Sequence, residues 1–101
     1  MDTKTLIADA KARFNHNAAK AQLKDKYDGK FIVAEQGGLW KATPELIGFL
    51  ASETDEHVIL IDNFENPVFV NRVALHDALD KVYRDTMQLW YSEWKELESK
   101  R

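Results

Sequence analysis

Two of the three histidines stand beside acidic residues, the pairing that general acid–base catalysis and metal binding both use. His57 follows Asp55-Glu56, and His76 precedes Asp77 and lies four positions before Asp80. His16 sits in Asn15-His16-Asn17, a stretch where a helix would bend or break. A zinc site built from His and carboxylate takes about three converging protein ligands, and no HExxH or comparable spacing occurs. Gly37-Gly38 lacks the further glycine and the lysine of a phosphate-binding loop, and no GxSxG nucleophile turn exists. The expectation is a protein that is not an enzyme, with no catalytic residue, no metal ligand and no cofactor.

A second set of side chains has the chemistry of nucleic-acid contact. Trp40 and Lys41 are adjacent just after a hairpin signal, where a ring can stack on a base while the ammonium meets phosphate. Asn63, Phe64 and Asn66 lie in the turn Asp62–Pro67, and Asn71-Arg72 adds an amide and a guanidinium. Asparagine in turns more often serves backbone geometry. Trp90, Tyr91, Trp94 and Leu97 fall in a C-terminal helical pattern, where aromatics are more often core or interface than base platforms. These four are the expected oligomer or partner interface.

The elements that must carry these residues follow from periodicity. Leu6, Ile7, Ala10, Phe14, Ala18 and Leu23 recur at helical spacing over residues 3–26, with Asp2 or Thr3 as cap and Asp28-Gly29 as stop. From Lys30 the pattern becomes that of strands. Residues 30–36 lead through Gly37-Gly38 into 39–42. Residues 45–52 are ambiguous: Thr43-Pro44-Glu45 has the form of a helix start, yet the apolar run is short and Gly48 interrupts it. Strand is favoured there by a small margin. His57–Asp62 is a strand apolar enough to be buried on both faces, and 68–71 is another. Residues 74–99 form a helix with Leu75, Leu79, Tyr83, Met87, Trp90, Trp94 and Leu97 in one stripe. A helix that long overhangs a small sheet, so its last turns need the first helix or another subunit to cover them.

The chain has 101 residues, enough for one domain, divided as N-terminal helix 1–28, small β-barrel 30–73 and C-terminal helix 74–101. Aromatics make up 11% of it, too many for disorder. It has no cysteine, which points to a reducing compartment, and no signal peptide or membrane span is expected. The net charge of −3 argues against nonspecific nucleic-acid coating. The charge is also divided. Residues 1–41 sum to +3 and residues 42–101 to −6, which suits head-to-tail contacts between copies.

The order of elements resembles the Sm/LSm small barrel. Gly48-Phe49 followed by Val58-Ile59-Leu60-Ile61-Asp62 is similar to the first Sm motif, and Val68-Phe69-Val70-Asn71-Arg72-Val73 to the second. His57 stands about where the family has Asn, and Asn71-Arg72 where Arg-Gly or Lys-Gly is usual. The resemblance implies an α+β fold with a five-stranded, mainly β core, between an N-terminal helix and a long C-terminal one. It also implies a homo-oligomeric ring that binds single-stranded RNA or, less readily, DNA. The full length is also similar to a family of small proteins from marine phages of cyanobacteria and ocean metagenomes, through Ile61-Asp62-Asn63-Phe64-Glu65-Asn66-Pro67 and the ending Trp90–Glu98. That likeness implies the host cytoplasm and no defined activity. The rival expectation is a phage structural or assembly protein that binds only protein.

Overall fold

A computed structural model describes residues 3–100, so Asp2, one of the two expected caps, lies outside the described residues. The elements in order are α1 (Thr3–Asp28), a 3-10 turn (Gly29–Phe31), β1 (Ile32–Glu35), β2 (Gly38–Lys41), α2 (Pro44–Ser52), β3 (His57–Ile61), β4 (Pro67–Asn71) and α3 (Arg72–Ser99). Helix dominates, and the molecule is a rod of 65 × 24 × 19 Å.

The expected five-stranded Sm-like barrel is not formed. Residues 44–52 are a helix, because the start signal at Thr43 overrides the short apolar run. The Thr43 hydroxyl accepts the Leu46 N–H at 3.2 Å, and Pro44 occupies a first-turn position where no N–H is required. Leu50 is buried and Leu46 and Ile47 are half-buried, whereas Phe49 and Ala51 are exposed, a helical alternation. Replacing Thr43 by Ala is expected to cost about 1 kcal/mol, lowering the thermal midpoint by roughly 4–8 °C in circular dichroism.

The remaining four strands form two separate antiparallel hairpins, β1 with β2 and β3 with β4. The first turn is Gln36-Gly37, one residue earlier than the glycine pair indicates. Both residues have positive φ, 51° and 80°, as a tight primed turn requires. Gly38 is instead a strand residue under the Trp40 ring. A Cβ there would stand 2.6 Å from the indole, so only glycine fits.

The core consists of Tyr27, Phe31, Trp40, Ala42, Leu50, Val70, Leu75 and Leu79. Val58, Leu60 and Val68 reach it from the inner face of the second hairpin. α1 and α3 run antiparallel and meet through rings: Tyr27 stacks on Trp90 at 6.1 Å, and Phe31 meets Trp90 edge-on at 6.3 Å and Tyr83 at 5.8 Å. The first helix thus covers the last turns of α3.

Of the expected stripe only Leu23 packs inward, and the rest of the buried face is a different one. His16, Ala19 and Leu23 are half-buried and Tyr27 is buried, while Leu6, Ile7, Ala10, Phe14 and Ala18 are exposed. Ala12, His16 and Ala19 line the same crevice as Leu97 and Lys100, which places residues 3–11 beyond the last turn of α3.

Candidate protein-interaction surface

Two polar arrangements hold the two hairpins together as one plate, and a third ties α2 to α3. The Asp62 carboxylate accepts the Leu39 N–H on one oxygen at 3.0 Å, and those of Phe64 and Asn66 on the other, each at 3.0 Å. The Asn63 N–H returns to the Leu39 carbonyl at 2.7 Å. Donation from Asn66, Leu39 and Phe64 keeps the Asp62 carboxyl below the usual carboxylate range, against the upward push of burial. At the other end of the plate the Gln36 amide donates to the Asn71 carbonyl at 3.2 Å and accepts the Asn71 N–H at 2.7 Å. The Arg72 guanidinium donates to the Leu50 and Asp55 carbonyls, both at 2.7 Å, tying the end of α2 and the following loop to α3.

This bracing redefines most of the residues singled out for nucleic-acid contact. Trp40 is 2% exposed and its indole N–H donates to the Glu35 carbonyl at 2.9 Å, so it offers no face for a base. Arg72 is committed to carbonyls. The Asn71 side chain caps α3, accepting the Ala74 N–H at 2.9 Å. Asn63 and Asn66 serve the turn through their backbone, with exposed side chains. Lys41 and Phe64 are exposed, but neither has Trp40 beside it as a platform. The structure therefore does not gather the seven into one stacking surface.

The histidines are separated as well. His57 lies flat on Phe69, with ring centroids 4.9 Å apart, on the second hairpin. His76 accompanies Asp77 on α3, and His16 meets Glu98 at 3.1 Å between α1 and α3. Among the described residues, no group of three or more His, Asp or Glu is placed to hold a metal ion. No helix among them is long and apolar enough to cross a membrane.

The C-terminal aromatic group divides between the inside and the outside. Trp90 packs on Tyr27 and Phe31, and Leu97 is half-buried toward α1. Tyr91 and Trp94 face outward as a stacked pair at 5.9 Å, because Glu93 takes the position toward α1. Glu93 accepts from Lys26 at 2.6 Å and from the Tyr27 hydroxyl at 2.7 Å, which lowers its own pKa and raises that of Lys26.

The dominant unpartnered surface is one that the sequence reading leaves aside. The outer face of β3–β4 carries Ile59, Ile61, Phe69 and His57, with Phe64 at the turn. Ile59 pairs with Phe69 across the ladder, and each is about two-thirds exposed (68% and 67%). Its sequence signal is the apolar run Val58–Ile61, expected to be buried on both faces; the fold buries only one face and leaves Ile59 and Ile61 open. A second such surface lies on α1, where Leu6, Ile7 and Phe14 are exposed.

No protein-family model, curated protein or solved structure matches the chain.

Proposed function

We propose that this protein is an assembly component that binds protein, with copies of itself as the first partner. The observation that carries this reading is the outer face of the β3–β4 plate. Four large apolar side chains, Ile59, Ile61, Phe64 and Phe69, are grouped there, each with about two-thirds of its surface in water (64–69%). Contiguous apolar patches of that kind mark interaction sites. The surrounding charge selects against nucleic acid. Residues 42–71 contain Glu45, Glu53, Asp55, Glu56, Asp62 and Glu65 and no Lys or Arg, so a phosphate backbone is repelled. The small core gives association a second role, since the plate has eight buried apolar residues behind it and gains stability when its outer face is covered.

Light scattering at tens of micromolar protein tests the proposal, together with a titration of fluorescent oligo-U at low salt. The expected results are a mass above the 11.7 kDa of one chain and no oligonucleotide binding. A strict monomer overturns the proposal. So does oligo-U binding that weakens steeply with salt and depends on Lys41.

A further inference from the structure

Two apolar surfaces lie at opposite ends of the same rod, and their charges are complementary. On α1, Leu6, Ile7, Ala10 and Phe14 occupy an arc of about 100° at 3.6 residues per turn. This arc faces roughly away from the Ala12, His16, Ala19, Leu23 side that packs on α3. Lys4 and Lys11 border it on one flank and Arg13 on the other. At the far end, the outer face of β3–β4 presents Ile59, Ile61 and Phe69 between two acidic margins: Glu53, Asp55 and Glu56 precede β3, and Glu65 lies in the turn.

From this we infer that the exposed face of α1 in one copy docks on the outer face of the β3–β4 plate in a second copy. The inference rests on the self-association proposed above and names the surfaces that meet. Three observations support it.

The first is dimensional. Leu6 to Phe14 covers eight residue steps, about 12 Å of helix, and a five-residue strand is about 13–14 Å long. A helix about 10 Å across covers a two-stranded plate. The second is electrostatic. The α1 segment 3–14 holds three basic residues and one acidic residue, whereas the plate and the loops around it hold no Lys or Arg before Arg72. Like surfaces repel, so plate-on-plate and α1-on-α1 pairing are disfavoured relative to α1-on-plate. The third is topological. β4 leads directly into the first turn of α3, while the α1 overhang lies past the last turn of the same helix, about 42 Å away by its 28 residues. A chain cannot fold its own α1 onto its own plate. Two rods laid antiparallel satisfy both ends at once, each giving a helix and receiving one, and this closes as a two-fold dimer.

Complementation between two deliberately damaged chains tests the contact. One variant carries Ile7→Asp and Phe14→Asp, and the other Ile59→Asp and Phe69→Asp. All four side chains are exposed, so both variants are expected to keep the wild-type circular dichroism spectrum and thermal midpoint, which is checked first. Each alone is expected to be monomeric at concentrations at least about tenfold above those at which the wild type assembles, as loss of central apolar anchors implies. Mixed one to one, they are expected to regain a heterodimer, because an intact α1 from one meets an intact plate from the other. The pairing is expected to weaken with added salt. If either variant still self-associates like wild type, or if the mixture stays monomeric, the α1-on-plate contact is wrong while a wild-type oligomer keeps the broader proposal standing. A wild-type monomer ends both. Should either variant lose its fold, Lys11→Glu with Arg13→Glu replaces the first pair and Glu56→Lys with Glu65→Lys the second, and the same two outcomes decide.

Discussion

Trp40→Ala is expected to leave the chain largely unfolded at 37 °C. Removing a buried tryptophan from a core costs about 3–5 kcal/mol, against a total of about 5–15 kcal/mol for a whole domain. Here the core has eight buried apolar members, and Trp40 is the largest of them. The substitution also strips the Glu35 carbonyl of the indole N–H that meets it at 2.9 Å. Trp40→Phe separates the two effects: it keeps most of the apolar volume and is expected to lose only about 1–2 kcal/mol. The close approach of Gly38 provides a stricter test. Gly38→Ala forces a Cβ to within 2.6 Å of the ring, so it is expected to destabilise the wild-type chain and to do so far less when Trp40 is already Leu. Chemical denaturation of the four chains gives the coupling directly. Additive effects of the two substitutions would show that the ring does not lie over the glycine.

The second large effect concerns acid. Among the described residues Asp62 is the carboxylate that joins the hairpins, accepting the backbone N–H groups of Leu39, Phe64 and Asn66. Those bonds hold its folded-state pKa below the ordinary value of about 3.9. Well above pH 4 the group is charged in both folded and unfolded chains, and its full contribution is present. As the pH falls through the ordinary value the unfolded chain takes up a proton that the folded chain still refuses, so stability drops until the folded carboxyl is protonated too. Asp62→Asn turns one of the accepting oxygens into a donor facing a donor, and is expected to lower the thermal midpoint at pH 7. Its curve of midpoint against pH between 3 and 7 is expected to be flatter than that of the wild type. Glu93, held low by Lys26 and the Tyr27 hydroxyl, titrates with the same sign and accounts for part of the remaining slope. Parallel curves for Asp62→Asn and wild type would contradict the role given to this residue.

Much of the secondary structure is legible in the residues because it depends on local signals. Gln36-Gly37-Gly38, Asp62–Pro67 and the long stripe from Leu75 mark two hairpins and a helix with no tertiary information. The segment after Thr43 carries contradictory signals, and the capping geometry decides it. Once Pro44–Ser52 is a helix, the strand count needed for a barrel is gone, and the expected five-stranded core goes with it. What periodicity cannot supply is which of two apolar stripes faces inward. α1 has Leu6, Ile7, Ala10 and Phe14 on one face and Ala12, His16, Ala19, Leu23 and Tyr27 on the other, and the second face packs because Tyr27 stacks on Trp90 and His16 meets Glu98. Trp40 shows the same gap at the site. Its sequence neighbours, a hairpin and a lysine, fit a stacking platform, but its burial is fixed by Gly38 two residues earlier, whose missing side chain makes room for the ring.

The shape of the molecule has a hydrodynamic consequence. A Cα radius of gyration of 19.5 Å in a chain of 101 residues is well above the roughly 13 Å of a compact domain that size. It equals that of a compact globule of roughly 300 residues. A single copy therefore has a frictional ratio above that of a round particle of its mass, and a column calibrated with round standards would overstate the mass of a monomer. An antiparallel pair behaves differently: it doubles the mass while adding little to the longest dimension, so its frictional ratio falls on assembly. Sedimentation velocity then distinguishes a rod that pairs side by side from one that lengthens end to end.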